Sequence, residues 1–314
     1  MKDQYKRDIN YLRLSVTERC TLRCVYCRPE VIPCPKAQEL SASQLVDITK
    51  ACAELGIIKV RITGGEPLLR RDLVEIISGI REIPSIVDIS LTTNAQMLAD
   101  QAQSLKDAGL DRLNISIDSL KPERFAELTG GSLQKVLEGI DEASKVGFTL
   151  LKLNCVLMKG VNDDEIDDFI ELARERPLDV RFIEYMPIGE NLAGKEGINN
   201  QEILASRPQL LPVNARYFGQ PSQDYRIEGY MGRVGFISPI SHRFCTDCNR
   251  IRVMSDGTLR ACLGEESEVS LKPVLDKGHD AIKALIEETI YNKPCGHHFD
   301  GARLTERNMS RIGG

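Results

Sequence analysis

Six times between Tyr11 and Tyr185 a run of apolar, β-branched residues gives way to an amphipathic stretch, and no other feature limits the fold as much. The strand candidates are Tyr11–Val16, Ile57–Ile62, Ile86–Thr92, Arg112–Ile117, Phe148–Leu157 and Val180–Tyr185. Between them Leu45, Ile48, Cys52 and Leu55 recur at helical spacing, as do Leu73, Ile76, Ile77 and Ile80, and later Ile166, Phe169, Ile170 and Ala173. Gly56, Gly109 and Gly147 stand where helices should end, just ahead of the next strand. Six βα units in succession predict an α/β fold whose parallel sheet is open or curled into a partial, incomplete barrel. A closed eight-stranded barrel needs two units more than the sequence shows.

Beyond Met186 the pattern changes. Residues 187–235 are rich in Gly, Pro, Asn and Gln and carry no clear period, and a further helix is expected near Ala281–Tyr291. With 314 residues the chain can bury two unequal cores, so a large domain over 1–230 and a smaller one over 231–314 are expected. Five unusual segments fall at or just past strand C-terminal ends. They are Thr63-Gly64-Gly65-Glu66-Pro67, Thr92-Thr93-Asn94, Ser116-Ile117-Asp118-Ser119, Met158-Lys159-Gly160 and Glu184-Tyr185-Met186-Pro187. In parallel α/β folds loops converge at that edge, which predicts one large site there.

A sixth segment of this kind is Cys20-x3-Cys24-x2-Cys27, interleaved with Arg19, Arg23 and Arg28. Three thiolates this close can hold an iron–sulfur cube by three irons and leave the fourth open to a small molecule. Zinc is the alternative, with Cys34 as a fourth ligand. The cysteine triad, Tyr26 just before its last member, and the Gly-Gly-Glu-Pro that follows the next strand together resemble the radical S-adenosylmethionine superfamily. The resemblance implies that S-adenosylmethionine chelates the open iron and is cleaved reductively to methionine and a 5′-deoxyadenosyl radical. Gly64 and Gly65 would then let the backbone approach the cofactor's amino group.

A second group, Cys245-x2-Cys248-x13-Cys262, leads into Asn249-Arg250-Ile251-Arg252, an alternation that puts both arginines on one side of a strand. A second open-iron cluster facing an anionic substrate fits, since the planar guanidinium pairs with phosphate. His242 would equally complete a zinc set, and a structural cluster also remains open. The run from Cys245 to Leu263, with the closing Gly313-Gly314, resembles the GTP 3′,8-cyclase family over nearly the whole chain, from Arg13 to Gly314. One departure is Ala95 after Asn94, where that family often has glycine.

That resemblance implies conversion of GTP to (8S)-3′,8-cyclo-7,8-dihydroguanosine 5′-triphosphate, the first step of molybdenum cofactor biosynthesis, with two [4Fe-4S] clusters and S-adenosylmethionine. The second cluster would bind guanine while the radical takes hydrogen from ribose C3′, which then attacks C8. By motif, Tyr26, Gly64, Gly65, Ser116 and Met186 correspond to S-adenosylmethionine contacts. Arg13, Arg61, Thr92, Lys152, Arg250 and Arg252 correspond to GTP contacts, with Lys59 and Arg181 as further phosphate cations. Their expected place is at strand ends, and their charge suits a triphosphate of about four negative charges. The tail residues Arg311, Gly313 and Gly314 would enter the active site and help to arrange the radical; the other reading is a frayed terminus. A low-potential flavodoxin or ferredoxin would donate electrons, cyclic pyranopterin monophosphate synthase would act downstream, and the family often forms dimers.

The net charge of -5 argues against a general binder of nucleic acid or anionic membrane. No signal peptide or membrane span is legible, and ten cysteines without one point to a reducing compartment, the cytoplasm by default. Cys52 and Cys155 are expected in the core, and Cys34, Cys295, His297 and His298 stay ambiguous. Two rival readings remain: a radical enzyme acting on peptides, and a zinc-stabilised binding module.

Overall fold

The computed structural model describes residues 1–27, 39–186, 188, 196–217, 219–297, 299 and 309–312. Six strands open the chain: β1 (Tyr11–Ser15), β2 (Lys59–Thr63), β3 (Asp88–Thr93), β4 (Arg112–Ser116), β5 (Leu151–Leu157) and β6 (Leu178–Glu184). Six more follow: β7 (Leu211–Pro212), β8 (Ser222–Arg226), β9 (Arg233–Ile237), β10 (Arg250–Val253), β11 (Thr258–Arg260) and β12 (Glu268–Ser270). The helices of the βα units are α1 (Ala42–Glu54), α2 (Leu73–Arg81), α3 (Leu98–Asp107), α4 (Pro122–Thr129), α5 (Leu133–Lys145) and α6 (Ile166–Glu175). Later come α7 (Asn200–Ala205), α8 (Lys272–Leu275), α9 (His279–Tyr291) and α10 (Met309–Ile312). Gly56, Gly109 and Gly147, at φ +97°, +96° and +91°, each take the left-handed turn that releases the chain from α1, α3 and α5.

All twelve strands form one sheet, in the order β12-β11-β10-β1-β2-β3-β4-β5-β6-β9-β8-β7. The eight from β10 to β9 run parallel, and antiparallel ribbons finish both edges. The two parallel strands missing from the sequence reading therefore exist, but they come from the C-terminal third and lie on opposite flanks of the six. The expected domain boundary at residue 230 falls between β8 and β9, which are hydrogen-bonded to each other. Residues 187–235, read as lacking a period, contain α7, β7, β8 and the first three residues of β9. β7 is two residues long, β8 is polar but for Tyr225, and Gly235 interrupts β9, so none of them reads as an apolar run.

Seven ladder steps separate β10 from β9, about 34 Å on a flat sheet. Yet Arg252 of β10 and Ile237 of β9 border the same cavity of about 280 Å³. The sheet is therefore curled, with the first six helices packed outside. Leu12 and Leu14, Val60 and Ile62, Leu113 and Ile115 are buried on that outer face. An unbroken apolar strand would mark burial under helices on both faces; here the other face is polar.

Candidate active site

Alternation along the strands builds the site. The residues between the outward apolar ones face into the curl: Arg13 on β1, Lys59 and Arg61 on β2, Lys152 on β5, Arg181 on β6, and Arg250 and Arg252 on β10. Closed barrels fill this space with branched apolar side chains. This one fills it with cations. Strand register sets their neighbours, since Arg13 lies between Arg61 and Arg252.

The expectation of cations at strand ends needs correction. Arg13 and Arg61 are third of five in their strands, Lys152 second of seven, Arg181 fourth of seven and Arg252 third of four. What brings them together is the two-residue period, which turns one face of every strand inward.

Crowded like charges out of water lower one another's proton affinity. Burial, then Arg252 and Arg61, bring Arg13 well below the usual arginine range. Burial, then Arg61, brings Arg181 to about 10, and burial with Arg250 does the same to Arg252. Lys152 falls furthest, to about 6, through burial first and then Arg181 and Arg112. The acids near them are already engaged: Asp88 holds Arg112, and Asp179 holds Arg216 at 2.8 and 3.0 Å. Buried polar atoms also stand without a partner along the wall, namely Arg181 Nε, Asn154 Oδ1 and Thr63 Oγ1. Such an interior is built for a polyanion with polar groups to spare.

The first cysteine loop leaves the C-terminal end of β1. Cys20, Cys24 and Cys27 all border the cavity, with Tyr26, Gly64, Gly65, Thr92, Ser116 and Met186. Burial, then Asp118 and the two neighbouring thiols, holds the Cys24 thiol well above its ordinary value. A bound metal would reverse this, because coordination removes the thiol proton. Gly65 has a packing reason to be glycine. A Cβ there would lie 2.2 Å from the Arg19 carbonyl oxygen and 2.6 Å from that of Glu18. The Gly65 and Glu66 amides donate to the Thr17 and Arg19 carbonyls, both at 2.7 Å, so the glycine-rich turn is laid directly on the cysteine loop.

Two buried acids that sequence reading did not single out brace this end. The Glu66 carboxylate accepts from Thr93 Oγ1 and the Asn94 amide, both at 2.7 Å, and from the Leu68 amide at 3.1 Å. Burial outweighs these bonds and raises it to about 7. Asp118 accepts from the Tyr26 hydroxyl at 2.7 Å and the Val156 amide at 2.9 Å, and burial lifts it to about 6. Asn94 reaches Thr21 Oγ1 at 3.0 Å and Cys20 Sγ at 3.6 Å. The following Ala95 sits at φ +60°, a conformation that glycine adopts without cost and alanine does not, so the departure noted at that position carries some backbone strain.

The second group stands at the opposite end. Cys248 lies two residues before β10, whose Arg250 pairs with Tyr11 at the start of β1, whereas Cys20 lies beyond that strand's other end. A five-residue strand measures about 16 Å. The two triads therefore face each other along the interior, not across one edge. Cys245, Cys248 and Cys262 line the same cavity as the first three. Burial pushes the Cys248 thiol up, but Arg250 and Lys293 outweigh it and bring it down to about 6. Lys293, missed in the sequence, is buried against this group and donates to the Ala261 carbonyl. Among the described residues no three His, Cys, Asp or Glu side chains converge as tightly as one bound ion requires. A cubane bound through three of its irons spreads its thiolates over separate corners, so both triads suit a cluster with one iron left open.

The tail is docked as far as it is described. Met309 and Ser310 border the cavity, and Ile312 packs with Ile188 and Met254. Arg252 donates to the Ile312 carbonyl at 3.4 Å, and Arg311 pairs with Glu18 at 3.1 Å. The frayed alternative does not hold for Met309–Ile312. Gly313 and Gly314 lie outside the described residues, as do Cys34 and His298. Cys52 and Cys155 are core residues, Cys295 is exposed, and His297 meets the Pro239 carbonyl at 2.9 Å beside the cavity.

Known proteins match this arrangement. Residues 14–173 match the radical SAM superfamily, and residues 178–299 match the family described as Molybdenum Cofactor Synthesis C. A GTP 3′,8-cyclase of Alkaliphilus oremlandii is 47% identical over 321 residues, covering 100% of both chains. One of Listeria monocytogenes is 44% identical over 333 residues, covering 100% of this chain and 99% of its own. Among solved structures, Streptococcus suis SuiB bound to S-adenosylmethionine aligns with a TM-score of 0.64 at 16% identity, over 86% of this chain and 65% of SuiB. The chain thus spans just under two thirds of SuiB. Native anSMEcpe with bound AdoMet aligns at 0.60 and 15% identity, over 92% of this chain and 82% of its own. These two share the fold. Full-length identity to the curated relatives goes further: the chain belongs to the radical SAM superfamily and, within it, to the GTP 3′,8-cyclase family.

Proposed function

We propose that the protein converts GTP to (8S)-3′,8-cyclo-7,8-dihydroguanosine 5′-triphosphate, opening molybdenum cofactor biosynthesis. The observation that carries this is the cation-lined interior between two cysteine triads. Cys20, Cys24 and Cys27 would hold a [4Fe-4S] cluster, which with S-adenosylmethionine would supply hydrogen-atom abstraction. Tyr26, Gly64, Gly65, Ser116 and Met186 border that end and shape the cofactor's seat. Cys245, Cys248 and Cys262 would hold the second cluster, where the guanine docks.

The remaining work belongs to the chain. Arg13, Arg61, Lys152, Arg181 and Arg252, with Lys59, Thr92 and Arg250, hold the triphosphate and ribose so that C3′ faces the first triad. Fixing both ends of the nucleotide brings C3′ and C8 into reacting distance, a positional gain that a loosely held substrate lacks. The buried walls keep water from the reacting carbons. The tail meets the cavity through Met309 and Ser310, and its residues Arg311, Gly313 and Gly314 have the role of arranging the radical. A peptide substrate would have little use for so many inward cations. A low-potential flavodoxin or ferredoxin supplies electrons in the cytoplasm, and cyclic pyranopterin monophosphate synthase takes the product. Among the described residues no helix is long and apolar enough to cross a membrane.

GTP carrying deuterium at ribose C3′ tests the reading. Deuterium should appear in 5′-deoxyadenosine, and 5′-deoxyadenosine formed without it would reject C3′ as the site of abstraction.

A further inference from the structure

The inward cations continue past the cavity to the other mouth of the curl. Lys59 and Arg112 are the first residues of β2 and β4, and Lys152 is the second of β5, so the three meet at the N-terminal ends of the strands. A small chamber of about 40 Å³ lies there, shared with Arg61 and Arg181. Tyr217 lines it with them. Lys59 Nζ stands 4.9 Å from the ring centroid, Arg112 Cζ 4.7 Å and Lys152 Nζ 5.2 Å. Two cations, Lys59 and Arg112, and the Lys152 amine, which gains its charge when a polyanion binds, converge on one aromatic ring, more than packing alone requires, because a cation is drawn to the electron-rich face.

The segment carrying Tyr217 is fixed on both sides. Arg216 makes a forked pair with Asp179 of β6. Gly219 lies against the Asn249 amide just ahead of β10, where a Cβ would come within 2.9 Å. The segment thus crosses beneath the mouth from one flank of the sheet to the other. Asp88 and Asp179, the acids at this end, are taken by Arg112 and Arg216, which leaves the two lysines to the ring.

We propose that Tyr217 is a positioning residue for the terminal phosphate: its ring gathers Lys59, Arg112 and Lys152 into the subsite that receives the end of the polyphosphate chain. This rests on the nucleoside triphosphate reading above. The ring holds Lys59 and Arg112 by their charge, and the Lys152 amine beside them, where the last phosphate will need them. Affinity should therefore depend on Tyr217 in proportion to how far the phosphate chain reaches.

Dissociation constants for GTP, GDP and GMP on the cluster-loaded protein test this, comparing wild type with Tyr217→Phe and Tyr217→Leu. Phenylalanine keeps the ring face; leucine keeps apolar bulk without it. The expected result is GTP binding weakened about tenfold by leucine, little changed by phenylalanine, with GMP unaffected by either. Equal effects of leucine and phenylalanine on GTP, or an equal loss for GMP and GTP, would overturn the proposal. If the leucine variant fails to load iron, Tyr217→Met makes the same comparison. A wild type that prefers ATP to GTP would overturn the substrate reading instead, and the triphosphate-to-monophosphate ratio would then be read with adenine nucleotides.

Discussion

Lys152 gives the sharpest test of the cationic interior, because it should gain a proton when the substrate binds. Burial and its arginine neighbours bring it to about 6 in the free protein. At pH 8 about 1% of it is then charged, whereas an unperturbed lysine, near 10.4, would be almost fully charged. A triphosphate alongside favours the ammonium and returns the pKa toward its ordinary value. Binding at pH 8 should take up about one proton per GTP, so affinity weakens about tenfold per pH unit from about pH 7 upward. Below about pH 6 the free lysine is already charged and the dependence should flatten. Arg181 and Arg252, brought only to about 10, stay charged at pH 8 and do not contribute. The phosphates, with a second pKa near 6, are also fully ionised there. Calorimetry in buffers of different ionisation enthalpy reads the uptake directly. Lys152→Met should abolish it. No uptake by the wild type, or undiminished uptake by Lys152→Met, would refute the argument.

Further outcomes follow from the same geometry. Replacing Cys20, Cys24 and Cys27 together by alanine should remove about half of about eight irons per chain and all S-adenosylmethionine cleavage, read by iron analysis and chromatography. Gly65→Ala drives a Cβ to 2.2 Å from the Arg19 carbonyl, so it should displace the cysteine loop and weaken S-adenosylmethionine binding while GTP still binds. Normal affinity for both would contradict the packing assigned to it. Arg252→Ala should weaken GTP binding by about 1.5–3 kcal/mol with both clusters retained, measured by titration of the loaded protein. Deleting Gly313 and Gly314 should leave iron content and GTP affinity nearly unchanged and abolish cyclised product; product at the normal rate would remove the tail from the mechanism.

The six βα units were legible because each buries an outward apolar stripe of its own against a helix, as Leu12 and Leu14 or Val60 and Ile62 do. The cysteine triads were legible by spacing, since their chemistry tolerates little variation in the chain between ligands. The arrangement of the interior was harder to see. Arg13, Arg61, Lys152 and Arg181 look like ordinary surface charges until strand register sets them side by side, and that register is a property of the sheet. The alternation Arg13, Leu14, Ser15 and Arg61, Ile62, Thr63 carried the signal. Strand ends did not. β9 escaped, and β10, though its alternation was read as a strand, was not placed in the parallel sheet, because each finds its partner far away in sequence, β6 for one and β1 for the other. Tyr217 and Lys293 lie in irregular segments without a period, and only the folded chain shows which charges they meet.

Product analysis tests the central claim most directly. The reconstituted protein is incubated without oxygen with GTP, S-adenosylmethionine and dithionite, and the nucleotide is recovered for mass and NMR spectra. The hydrogen lost from C3′ is replaced by an electron and a proton at N7, so the product should have the mass of GTP. It should differ in carrying a bond from ribose C3′ to C8 and no hydrogen on C3′. S-adenosylmethionine cleaved while GTP is returned unchanged would contradict the account.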